Sequence, residues 1–148
     1  MSTTTVKEIL AGKSAEILSV TPDISVYAAL ELMAKADISA VLVLEGERLV
    51  GIFTERDYAR KVILRGRSSR ESSIGELMTQ NLLTISPNHT VDDIMSIMTE
   101  NRFRHLPVVD HGKLVGIVTI GDAVKAVMEE QRQTIAQLSS YIAGDLTT

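Results

Sequence analysis

Two four-residue units in this chain combine groups able to do chemistry: Thr54-Glu55-Arg56-Asp57 and Thr119-Ile120-Gly121-Asp122. Each sets a hydroxyl three residues before a carboxylate, where a β-rich run gives way to a helical pattern. A carboxylate has two oxygens and no donor, which suits the neighbouring 2′- and 3′-hydroxyls of a ribose. A helix start presents unpaired N–H groups and a dipole that favours phosphate. The same spacing also reads as a threonine N-cap with an acidic residue three positions on, close to a capping box, whose usual partner is Glu or Gln. Both readings stand. An acidic group beside a phosphate needs positive charge nearby. Arg104 and His105 are the candidates, since arginine matches phosphate bidentately and histidine can protonate at cellular pH. Their alternative is a surface arginine and a hydrogen-bonded, half-buried histidine. Arg56 stands at a helix start, where charge is normally acidic, and is a further phosphate candidate. Lys61, Arg65, Arg67 and Arg70 read as solvated helix and linker charges.

The elements that must position these groups occur twice. Residues 20–57 lie over 85–122 without a gap, at an offset of 65. Pro22 falls on Pro87, Val26 on Val91, Met33 on Met98, Thr54 on Thr119 and Asp57 on Asp122. Upstream, Val6 to Leu10 resembles Ile74 to Met78. Each copy reads as a short strand, a helix, two strands and a second helix. Pro22 and Pro87 end an extended segment, and Ser25 and Thr90 stand at the N-cap. Val26, Ala29, Leu30 and Met33 follow at helical spacing, as do Val91, Ile94, Met95 and Met98. Val41 to Leu44 and Leu49 to Phe53 form a hairpin through Glu45 to Arg48, and Pro107 to Val109 and Leu114 to Val118 form its counterpart. These runs are apolar throughout, so the sheet is expected to be covered on both faces.

The second helices start at Thr54 and Thr119, and the first ends near Leu64 to Gly66. The last is long, reaching Ser139-Ser140, and Val124, Val127, Met128, Ile135, Leu138 and Ile142 give it an apolar face beyond the needs of one copy. The expected organisation is α/β: a first repeat over 6–65, a Ser-rich linker over 66–73, a second repeat over 74–130 and a helical extension over 131–148. A half of roughly 60 residues has a marginal core alone, so the halves are expected to pack by pseudo-twofold symmetry.

Composition narrows the function. The 148 residues are 45 % hydrophobic and 23 % charged, which excludes a disordered chain. A net charge of −4 argues against a nucleic-acid partner, and three Tyr, two Phe and no Trp leave no base-stacking platform. Without cysteine there is no disulfide, thiolate metal site or cysteine nucleophile. No Gly-rich phosphate loop and no paired-histidine metal motif occurs, so no catalytic residue, metal or catalytic cofactor is expected. His89 and His111 read as loop residues, and Met33, Met95, Met98 and Met128 fit core or dimer packing. No apolar run approaches the ~20 residues of a membrane span. The start, Met1 to Thr5, lacks a secretory-signal profile, and a cytoplasmic location is expected.

The paired segments Leu49-Val50-Gly51-Ile52-Phe53-Thr54-Glu55-Arg56-Asp57 and Leu114-Val115-Gly116-Ile117-Val118-Thr119-Ile120-Gly121-Asp122 resemble a tandem CBS-domain pair. Phe103-Arg104-His105-Leu106-Pro107-Val108-Val109-Asp110 is similar to the family's other hallmark. The resemblance runs from about Val6 to about Met128. It implies an adenosine ligand (AMP, ADP, ATP or NAD(H)) in clefts between the two halves, and a homodimer acting on a separate effector protein. It places ribose on Asp57 or Asp122 and phosphate near Thr54 or Thr119, with Arg104 and His105 sharing the cleft of Asp57. The counterparts Ser39 and Ala40 carry no charge, so the clefts are unequal, and that of Asp122 must draw charge from elsewhere, Arg56 being a candidate, or hold a less anionic ligand. Adenine would be read by main-chain atoms near Val20-Thr21 or Thr84-Ile85, and near Ser39, Ala40 and Val41 or Arg104 to Leu106, with Pro107 adjoining. The expected function is a regulatory energy or redox sensor; the alternative is a dimerisation or scaffold module with degenerate clefts.

Overall fold

The computed structural model describes residues 3–13 and 17–147; of the terminal stretches read above, Met1, Ser2 and Thr148 lie outside these. The elements run α1 (Val6–Ala11), β1 (Ser19–Val20), α2 (Val26–Ala36), β2 (Ala40–Glu45), β3 (Arg48–Thr54), α3 (Glu55–Asp57), α4 (Ile74–Leu77), α5 (Val91–Asn101), β4 (His105–Asp110), β5 (Lys113–Thr119) and α6 (Ile120–Thr147). β1 pairs in parallel with β2, and β2 antiparallel with β3. β4 and β5 form a two-stranded sheet.

The duplication survives to the residue: α2 and α5, β2 and β4, and β3 and β5 begin and end 65 positions apart. Ser25 and Thr90 cap as expected, each accepting a backbone N–H three residues on. Asp37 and Arg102 end the two helices in left-handed backbone conformation. Ala40, Val41, Leu42 and Val43 are all buried, as an apolar strand covered on both faces requires. The hairpin loops are two residues long rather than four. His111 and Gly112 both take positive φ, as a type I′ turn demands.

Two elements depart from expectation. β1 has no partner strand in the second copy, where Ile85 is buried but forms only an isolated bridge. The helix after Thr54 is α-helical only to Asp57 and continues as a π-helix over Tyr58–Ile63. Its amides reach five residues back, Leu64 N–H to the Ala59 carbonyl at 3.0 Å and Arg67 N–H to that of Val62 at 2.9 Å. Over six residues, apolar spacing cannot separate this wider turn from an α-helix.

The described residues fall into two compact units, one from 3–13, 85–106 and 117–147, the other from 17–84 and 107–116. In the first unit, the Val91 amide at the start of α5 donates to the Thr4 carbonyl (2.9 Å), and the Val6 amide donates to His89 (2.8 Å). In the second unit, the Val26 amide at the start of α2 donates to the Ser72 carbonyl (2.9 Å), and the Ile74 amide to Ile24 (2.9 Å). Helix starts leave N–H groups without internal partners. The starts of α2 and α5 are each satisfied here by the segment that precedes the other repeat, and those of α4 and α1 by the turns before α2 and α5. The linker takes part, since the Ser69 carbonyl accepts from Tyr27 (2.9 Å) and Arg70 lies 4.0 Å above the Tyr27 ring. Arg67 pairs with Glu76 at 2.8 Å, so these two arginines have partners where solvation alone was expected.

The second unit's core gathers Val20, Val26, Ala29, Met33, Val41, Val43, Phe53, Val62, Ile74 and Leu77. Gly51 lets the chain after α4 dock on β3: a β-carbon there would lie 2.5 Å from Met78 Sδ and 3.1 Å from the Thr79 carbonyl oxygen. Among the described residues no helix is long and apolar enough to cross a membrane. Gly51→Ala is expected to lower unfolding free energy by about 1–3 kcal/mol through this overpacking, measured by urea denaturation.

Asp93 is held below the usual carboxylate range, first by the Thr90 amide and then by the Thr90 hydroxyl. Its depressed folded-state pKa contributes stability that is complete above the unfolded value of about 3.9 and is lost as pH falls through the folded one. Asp93→Ala is therefore expected to melt lower than the parent at pH 7, with the difference shrinking as pH falls below the unfolded carboxylate value; an unchanged difference at low pH contradicts the assignment.

Candidate functional site

Thr54 ends β3 with extended backbone (φ −119°, ψ 164°), and its hydroxyl accepts the Asp57 amide at 3.1 Å. Asp57 Oδ2 returns the contact, accepting the Thr54 amide at 3.0 Å and the Thr54 hydroxyl at 3.1 Å. The capping box expected as one reading is therefore formed, with Asp in the position usual for Glu. Oδ1 accepts the Thr79 hydroxyl at 3.0 Å and lies 3.1 Å from Lys61 Nζ. Lys61 also donates to the Leu77 carbonyl at 3.0 Å and to Thr79 Oγ1 at 3.3 Å. Asp57 is buried at 9 % exposure, one of two buried polar residues among those described. Lys61 is half-buried on the carboxylate, which corrects its reading as a solvated charge.

In the first unit, Asp122 Oδ2 accepts the Thr119 amide at 2.8 Å, and Thr119 Oγ1 accepts the Asp122 amide at 3.2 Å. The cation here is Lys13, whose Nζ lies 2.7 Å from Oδ2 and also donates to the Ile117 carbonyl at 2.9 Å. Sequence reasoning looked for this charge in Arg56; Lys13, 109 positions away along the chain, supplies it. The first copy's Lys61 has Ala126 as its counterpart, so the two ammonium groups reach equivalent carboxylates from unrelated places. Both half-buried pairs lie between the weak surface kind and the costly buried kind.

The other expected residues take varied places. Arg56 is exposed at the start of α3, and Arg104 is exposed with its carbonyl accepting the Ile120 amide at 2.9 Å. Ser39 does the same for Glu55 at 3.0 Å, so these equivalent positions each tie a strand entrance to the following helix start. His105 is half-buried, and Leu106 and Pro107 are buried in β4. Ala40 and Val41 pair with Thr54 and Phe53. Val20 and Thr21 line a groove of about 460 Å³ with Ser19, Ile24, Leu44 and Gly46. Thr84 lines another of about 490 Å³ with residues of the two hairpin tips, and Ile85 is buried. Neither groove is lined by Asp57 or Asp122. Among the described residues no cluster of three or more acidic or histidine side chains could hold a metal ion.

Thr79 and Lys13 were missed. Each sits on a segment remote in sequence from the carboxylate it reaches. Lys61 carried a legible signal, four residues after Asp57, the spacing at which helical side chains meet.

Comparison with known proteins accounts for the doubled architecture. The chain is 41 % identical over 150 residues to the mitochondrial CBS domain-containing protein CBSX3 of Arabidopsis thaliana, covering 95 % of this chain and 73 % of the relative. A protein with CBS domains from Burkholderia ambifaria MC40-6 matches at TM-score 0.84 and 47 % identity, over 86 % of this chain and 96 % of that one. The CBS domain pair of protein MJ0100, solved with 5′-methylthioadenosine and S-adenosyl-L-methionine, matches at TM-score 0.72 and 29 % identity, over 82 % and 98 % of the two chains. The CBS-domain family model matches twice, over residues 6–64 and 74–129, and the chain belongs to that family as a tandem pair.

Proposed function

We propose that this chain is a non-enzymatic regulatory module that binds an adenosine-containing ligand, AMP, ADP, ATP or NAD(H), and passes its occupancy to a separate effector protein. The ribose hydroxyls bind at Asp122 or Asp57. Arg104, His105, Arg56 and the two lysines supply charge for phosphate. Main-chain atoms around Val20-Thr21, Ser39 to Val41, Thr84-Ile85 and Arg104 to Leu106 read the adenine. Family membership supports the regulatory role, and the adenosine compounds held by the MJ0100 pair support the ligand class. The observation that carries the reading is at Asp122: its cap and its lysine both use Oδ2, and among the described residues none takes Oδ1, which can accept a sugar hydroxyl.

A scaffold without ligand is the second reading, favoured by the reciprocal caps at both aspartates, which give each a structural task. Thermal unfolding separates the two. An adenosine ligand at ~100 times its Kd is expected to add ~2.7 kcal/mol of stability, and its 2′-deoxy form to bind more weakly. No shift with AMP, ADP, ATP, NADH or 5′-methylthioadenosine leaves the scaffold.

A second copy of the chain covers the free face of α6. Val124, Met128, Ile135, Leu138 and Ile142, between 46 % and 64 % exposed, fall with Gln131 at alternating spacings of four and three, the seam of a two-stranded coil, and a polar residue in such a seam fixes register. The parent is expected to sediment as a dimer of 16.1 kDa chains and Ile135→Lys/Leu138→Lys as the monomer; a monomeric parent contradicts this.

A further inference from the structure

Resting on the ligand reading above, we infer that the two aspartates are unequal: Asp122 accepts a ribose hydroxyl as it stands, whereas Asp57 is latched and accepts one only after Lys61 or Thr79 lets go. A carboxylate has about four lone-pair positions. At Asp57 four donors fill them: the Thr54 amide and hydroxyl on Oδ2, and the Thr79 hydroxyl and the Lys61 ammonium on Oδ1. At Asp122 two donors share Oδ2, and among the described residues none reaches Oδ1. A sugar hydroxyl therefore adds to Asp122 but must displace a protein donor at Asp57.

That displacement is opposed by how the latch is built. The three Lys61 ammonium protons have three acceptors, Asp57 Oδ1, the Leu77 carbonyl and Thr79 Oγ1. Exchanging a charge-assisted bond for one from a neutral hydroxyl weakens the contact to the carboxylate. Thr79 is fixed in turn by two backbone bonds to Ile52, its amide to the Ile52 carbonyl at 2.8 Å and its carbonyl from the Ile52 amide at 3.0 Å. A ligand on Asp57 must therefore disturb the contacts of residues 77–79, the end of α4 and the two residues after it. Asp122 fills first, and Asp57 fills only with a change in that stretch.

Calorimetric titration of the full chain with 5′-methylthioadenosine tests this, because a ligand without phosphate does not miss a lysine through its charge. The parent is expected to bind one equivalent, weakened tenfold or more by Asp122→Asn. Lys61→Met and Thr79→Val, made separately so that either can report if the other fails to fold, are each expected to bring a second equivalent into range by a tenfold or greater gain. That second equivalent should persist when Asp122→Asn is added. Two equal equivalents in the parent, an Asp122→Asn variant that binds like the parent, or latch variants that stay at one equivalent overturn the inequality while leaving the ligand reading intact. Absence of binding by every one of these proteins, with AMP as well, overturns the ligand reading itself and the inequality with it.

Discussion

The first amides of a helix must find acceptors outside it, and the way this chain meets that requirement organises the rest. α2 is completed by the carbonyls of Ser69 and Ser72, and α5 by that of Thr4. Each acceptor belongs to the segment leading into the other repeat. Because those segments are drawn across for their backbone carbonyls, the residues that follow them arrive too. Thr79, just beyond α4, comes to rest on Asp57, and Lys13, just beyond α1, on Asp122. Helix capping and the electrostatics of the site are thus one arrangement. Gly51 is its steric condition, since a β-carbon there would press on Met78 and Thr79.

A carboxylate that caps its own helix is not thereby spent. Capping engages one oxygen in each unit, Oδ2, and what distinguishes the units is the fate of the other. The cap holds the side chain in one orientation, which a recognition group needs. Each neighbouring lysine offsets the negative charge that a phosphate would otherwise meet. Under the proposed ligand reading, structural and recognition duties fall on the same side chain, because both require an acceptor held rigidly at the junction of strand and helix.

Much of this was legible in the chain itself. The duplication gave the pairing of α2 with α5 and of β2–β3 with β4–β5, because Pro22 and Pro87, the capping hydroxyls and the apolar runs are local signals that act over a few residues. The reciprocal Thr54–Asp57 and Thr119–Asp122 caps were visible for the same reason. What escaped was non-local or too short for a period to declare itself. The exchange of leading segments depends on backbone carbonyls, which no side-chain pattern advertises, so Lys13 and Thr79 could not be placed. The π-helical Tyr58–Ile63 is shorter than two turns of an α-helix. Thr84-Ile85 keeps the apolar character of its counterpart without the ladder that would make it a strand.

α6 begins one residue after Thr119, carries Asp122 in its first turn, and runs 28 residues as a single helix. At 1.5 Å per residue it is a rod of about 42 Å, rooted in the carboxylate's own cap. A tilt of about 5° at that root sweeps the far end through roughly 4 Å, more than the length of a hydrogen bond. An angular change at its base would therefore grow along the rod into a much larger displacement at its far end.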